Sequence, residues 1–264
     1  MRTHSIVGAA FIAASWAGPA DAQFNAYYKG KVREGGKDVP ATAQFSLEPG
    51  RVAVVMRSTT TRRMLFVESD HVLRLVDDTR GTYLELPKLS EGAAGVSAQL
   101  AEMQRQLDRL PPEQRAMAQQ MMQGAMGAMQ QPADQYVWST DKRTISGYEA
   151  TRVDVMQGGV KRAEYWGTPS ADFRMSDAQR ATMLAMQDYL RTSMISASPA
   201  GGGASRAFQW DTSVDGYPVL TRCFTGDEMT LELELQAADR KPLSADLFTI
   251  PSSYRKQEIP TGGH

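Results

Sequence analysis

The sequence predicts an α+β protein: a curved antiparallel β-sheet (a half-barrel) with helices packed on or across its concave face. Three observations predict it. Short apolar-alternating segments recur between turn residues from Phe24 to Leu86, and again from Tyr136 onward. The apolar period switches to helical spacing near Ser97 and again after Ser176. The segments before Leu86 stand too close together for helical crossovers, so they pair antiparallel.

The elements follow in order. Residues 1–22 read as a secretory signal peptide. Arg2 is its positive start, Ile6 to Trp16 its apolar run, and Ala20-Asp21-Ala22 its cleavage pattern, with Gln23 first in the mature chain. The apolar run is too short to span a bilayer, and no later stretch is long enough to do so. The chain is therefore expected in the periplasm or secreted, without a transmembrane anchor. Ala43, Phe45 and Leu47 alternate with polar residues, and Glu48-Pro49-Gly50 turns the chain into Val52 to Met56. Met64 to Val67, Val72 to Val76 and Thr82 to Leu86 continue the meander.

Val96, Leu100, Met103, Leu107 and Leu110 then form one helical stripe, ended by Pro111-Pro112. A second helix to about Gln131 carries Met117, Met121, Met122, Met126 and Met129. Strands resume at Tyr136 to Ser139, over Thr144 to Met156, and at Arg162 to Trp166. Ser176 and Gln179 have capping-box spacing and open a helix to about residue 196, with Met183, Leu184, Met186 and Leu190. After the Gly201-Gly202-Gly203 link come strands near Phe208 to Asp211, Pro218 to Phe224 and Met229 to Gln236. In the last, Leu231, Leu233 and Leu235 alternate with Glu232 and Glu234. Residues 23–256 are read as one domain, with a Met-rich helical segment at 96–131 and a flexible polar tail at 257–264.

Several segments carry a resemblance: Ile145-Ser146-Gly147-Tyr148-Glu149-Ala150, Gly158-Gly159, Tyr165-Trp166, Gly216-Tyr217-Pro218-Val219-Leu220, and the run from Leu247 to Tyr254. In these the chain resembles a bacterial family of exported proteins classed as a domain of unknown function, whose fold is similar to the lipoprotein-localisation (LolA/LolB) type. The resemblance implies the curved sheet wrapped around helices, and it brings no catalytic residues.

Composition narrows the role. The formal net charge is −1, which argues against a nucleic-acid binder that neutralises phosphates. One cysteine, Cys223, forms no intrachain disulfide and no Cys-rich zinc site. Only 3 histidines are present, and no hydrolase, metalloprotease or P-loop motif occurs, so no enzyme and no cofactor are expected. His71 beside Asp70 reads as an exposed turn residue, and Asp77 and Asp78 as turn formers.

Methionine is high, at 15 residues. Thioether side chains adapt to irregular partners, so three uses stay open: core filling, a greasy surface for a lipid, acyl chain or envelope protein, and a copper(I) site. The expected role is a non-enzymatic envelope protein holding a hydrophobic ligand or lipidated partner. Its candidate apolar lining is Met103, Met117, Met121, Met122, Met126, Met129, Trp138, Trp166, Met183 and Met186. The alternative is an interaction or sensor module docking through the Met-rich helices.

Overall fold

The computed structural model describes residues 23–86, 134–192 and 216–257. The signal-peptide stretch, the Met-rich segment 96–131, the strand expected near Phe208 to Asp211 and most of the tail lie outside the described residues.

Two meanders join edge to edge. The first comprises β1 (Phe24–Glu34), β2 (Lys37–Glu48), β3 (Arg51–Arg57), β4 (Thr61–Val67), β5 (Val72–Asp77) and β6 (Thr82–Leu86). The second comprises β7 (Gln135–Ile145), β8 (Tyr148–Gln157), β9 (Val160–Thr168), β10 (Tyr217–Thr225) and β11 (Glu228–Asp239). With β12 (Arg255–Gln257) they make one open sheet of 12 strands, in the order β12-β6-β5-β4-β3-β2-β1-β11-β10-β9-β8-β7. The described residues hold one α-helix, α1 (Asp177–Thr192).

Hairpins end on paired positive-φ residues: Gly35-Gly36 at φ 56° and 78°, and Gly158-Gly159 at 58° and 81°. That geometry matches the twist of the strands on either side. Ser146-Gly147, at φ 52° and 87°, does the same between β7 and β8. This corrects the expectation of one strand over Thr144 to Met156: the chain reverses there, with Ile145 facing Tyr148.

The seam is β1 against β11. Gly30 lies so close to its partner that an added Cβ would sit 1.8 Å from the Glu232 carbonyl oxygen. Two residues away, the register slips between Tyr27 and Tyr28, and a further slip occurs in β10 between Pro218 and Leu220. Bulges and close glycine contacts bend strands and deepen their twist. The buried Tyr28 hydroxyl bridges these two irregularities, donating to the Pro218 carbonyl at 2.9 Å.

One face of the sheet, the inner face, carries a continuous apolar cluster running through both meanders. Phe24, Phe45 and Phe173 pack edge-on around Tyr217, with ring centroids 5.4, 5.7 and 4.9 Å away. The capping box forms as the sequence predicts. Gln179 N–H donates to Ser176 Oγ at 3.2 Å, and Ser176 N–H to Gln179 Oε1 at 3.0 Å. α1 packs on β2 and β3 at the strand ends that carry the β2–β3 and β4–β5 turns. There Gly50 N–H donates to Thr182 Oγ1 at 2.7 Å, and Tyr189 donates to the carbonyls of Leu86 at 2.6 Å and His71 at 3.0 Å.

The C-terminal segment covers the outer face of the first meander. Phe248, Leu243, Leu247 and Ile250 pack on Ala53, Leu65 and Val76 in a second, smaller cluster. The chain then adds β12 parallel to β6, with Arg255 N–H bonded to the Gly81 carbonyl at 3.0 Å. This corrects two expectations. The last strand runs one residue, Gln257, into the stretch expected as flexible tail, and the sheet holds one parallel pair. The cause is topological: β11 ends in the middle of the sheet, so a strand reaching the far edge must cross a face to get there.

Candidate functional site

The inner face of the first meander is graded along its strands. At the α1 end, Leu47, Val52 and Leu73 are fully buried. Toward the other end, where the hairpin tips 34–37, 58–60 and 78–81 fall, the inward residues Val32, Met56, Leu75 and Leu84 are only partly buried, though they pack against the same cluster. Strand pairing sets Leu75 opposite Leu84, and Met56 opposite Arg62. The result is an apolar wall, closed by a helix at one end and partly exposed at the other.

Polar groups ring the exposed end. The Glu34 carboxylate takes a hydrogen bond from Ser58 Oγ at 2.5 Å and another from Thr59 Oγ1. These two hydroxyls hold its carboxyl below the ordinary carboxylate range. Asp77 accepts from Arg80 N–H at 2.9 Å. Arg62 stands on β4 between Met56 and Asp77, exposed.

The outer face of the second meander is different in kind. Asp154, Glu164, Arg222, Glu232 and Lys31 lie in register across β8, β9, β10, β11 and β1. Arg222 reaches Glu232 at 2.7 Å and Glu164 at 3.1 Å, while Lys161 reaches Glu164 at 2.6 Å and Asp154 at 2.8 Å. Burial pushes the Glu164 carboxyl upward, but Lys161, the Trp166 indole and Arg222 outweigh it and hold the group below its ordinary value.

The expected lining residues separate in this frame. Met183 and Met186 are buried on α1, at 4% and 0% exposure, within the inner cluster. Trp166 is buried in the same cluster, yet its Nε1 donates to Glu164 at 2.9 Å and the Arg143 guanidinium lies 4.3 Å over its ring. Trp138 stands apart, 48% exposed on the edge strand β7. Met103, Met117, Met121, Met122, Met126 and Met129 lie outside the described residues. Leu184, one of the apolar residues expected on this helix, is exposed, while Gln179, Thr182, Gln187 and Tyr189 share the buried side of α1.

Sequence reading missed Val32, Met56, Leu75, Leu84 and Arg62. Met56, Leu75 and Leu84 fall within strands that the sequence predicts. Only pairing between strands shows that they gather at one end.

His71 closes a short 3-10 turn at φ 50°, and its neighbour Asp70 pairs with Arg74 at 2.9 Å. Cys223 is buried. Among the described residues, no group of three or more His, Cys, Asp or Glu side chains is placed to hold a metal ion, and no helix is long and apolar enough to cross a membrane. In comparisons with known proteins, no family model and no curated protein matches the chain.

Proposed function

We propose that this is an exported, non-enzymatic envelope protein that holds a hydrophobic ligand, or the lipid part of a lipidated partner, in the concavity of a half-barrel sheet. One observation carries the reading: the grade in burial along the first meander. A closed core would bury Val32, Met56, Leu75 and Leu84 as fully as Leu47 and Leu73. Instead, the wall loses its cover toward the hairpin tips. Each alkyl methylene laid on such a wall contributes about 0.8 kcal/mol, so a short run of them reaches micromolar affinity.

The chain leaves the sheet at Leu86 of β6 and re-enters at Gln135 of β7, the opposite edge. In this reading, the Met-rich stretch 96–131 between those points adds Met103, Met117, Met121, Met122, Met126 and Met129 to the lining. Thioethers adapt to chains of varied length and shape. Such a site acts by burial and release, with no bond made or broken.

Native mass spectrometry of protein purified from its own envelope tests the reading. Adducts with the mass of acyl-bearing lipids are expected, and Leu75→Asp, which places a charge on the wall, should lose them. Adduct-free wild-type protein that also fails to take up a fluorescent hydrophobe would overturn it.

A further inference from the structure

β4 sets two neighbouring arginines on opposite faces, and their circumstances differ. Arg63, on the outer face, is saturated. Its Nε and Nη2 donate to Asp78 at 2.8 and 2.9 Å, and its Nη1 donates to the carbonyls of Leu247 and Thr249 at 3.2 and 2.9 Å. Arg62 shares the inner face with Met64 and Phe66 of the main cluster. Arg62 is exposed, and its charge acts on the Glu34 carboxylate and helps to hold that group below its ordinary range, without a close ion pair among the described residues. Two acids stand by it, and both are already engaged. Glu34 is gripped by Ser58 and Thr59, and Asp77, directly across the strand pair, accepts the Arg80 N–H. Below Arg62 lies the partly exposed wall of Met56, Leu75, Leu84 and Val32.

We propose that Arg62 receives the anionic head of an amphiphile whose alkyl chain lies on the wall of Met56, Leu75 and Leu84. This rests on the reading of the inner face as a site for hydrophobic ligands, and it adds a chemical class and an orientation. The guanidinium fork offers paired N–H groups that match two oxygens of a carboxylate or a phosphate monoester. Its flexible stem lets the head stay in water while the chain is buried. Glu34, fixed beside it, opposes an incoming anion, so the site is tuned below its maximum affinity.

The experiment measures binding of dodecanoate and of dodecanol to the full chain by calorimetry at low ionic strength, where exposed charges are least screened. Wild type should hold dodecanoate about tenfold more tightly than dodecanol, a difference of ~1.4 kcal/mol. Arg62→Gln should remove that preference, weakening dodecanoate far more than dodecanol. Glu34→Gln should raise dodecanoate affinity a few-fold. Acetate and inorganic phosphate alone should not displace dodecanoate, which separates an amphiphile head from a free anion. Arg57→Gln, at an exposed position on the opposite face of β3, is the control and should keep the preference.

Equal binding of acid and alcohol by wild type overturns the proposal while the hydrophobic site stands. So does loss of the preference in Arg57→Gln as much as in Arg62→Gln, or displacement by acetate or phosphate. Failure of wild type to bind either compound overturns the proposal and the reading beneath it together.

Discussion

The two meanders solve the same problem in different ways. Both turn apolar residues toward the inner face. Their outer faces diverge. The first meander hides Ala53, Leu65 and Val76 under Phe248 and its neighbours, so its middle strands are buried on both sides. The second carries a charged rung, Asp154, Glu164, Arg222 and Glu232, in which Lys161 bridges the two neighbouring acids. A strand covered on both faces reads as a continuous apolar run, and Val52-Ala53-Val54-Val55 in β3 is one. A strand covered on one face alternates, as Leu231, Leu233 and Leu235 do with Glu232 and Glu234 in β11. Sequence texture thus reports how many faces are covered, not only that a strand exists.

Five substitutions, one of them a control, would break or sharpen this contrast. The largest effect is expected at the seam on which both halves depend. Gly30→Val drives a side chain into the Glu232 backbone, where no rotamer gives relief. A loss above about 4 kcal/mol, and no cooperative urea transition, are expected. Gly167→Ala within the second meander has its nearest atom at 4.0 Å and should fold normally. Equal behaviour of the two would show that the seam is not tight.

Next comes Met186→Ala, which opens a hole where α1 meets the inner face and should cost about 3 kcal/mol by chemical denaturation. A cost below roughly 1 kcal/mol would mean that the helix is loosely seated.

Arg63→Ala removes the donors that hold the C-terminal strap, including those to Leu247 and Thr249, and should cost about 2 kcal/mol. Limited proteolysis should then cut within 240–257 before any site in the second meander.

The smallest effect is expected on the charged rung. Glu164→Gln should cost about 1 kcal/mol at neutral pH. The wild-type carboxyl is held below its ordinary value, so its contribution is complete above the unfolded-state value of about 4.3. That contribution fades as pH falls through the lower folded-state value. The gap between wild type and variant should therefore close in acid. A gap that persists at the lowest pH would assign the cost to packing.

Much of this contrast was legible in the sequence. The alternation of β2 and β11 and the Ser176–Gln179 cap could be read because each depends on residues close along the chain. The Ser146-Gly147 turn escaped because it interrupts a run of strand-forming residues with only one strong turn former. β12 escaped because Arg255-Lys256-Gln257 is polar on every side, and its place is set by the β6 edge rather than by its own pattern. Arg62 and Arg63 are the sharpest case. They are the same residue side by side, and only the strand register says which is saturated and which faces the apolar wall.

The strand order also sets a timetable. Asn25 of β1 meets Asp239 of β11, a partner 214 positions away. A chain emerging from a ribosome completes its first meander while the neighbour of β1 and the cover for Leu65 and Val76 are still unmade. Closing so long a loop is slow, and nothing rewards it until the far residues arrive. The sheet therefore commits late and nearly at once, with β11 and the strap locking together what was made first. Until then the β1 edge of the first meander stands without its β11 neighbour, and its outer apolar face without its strap.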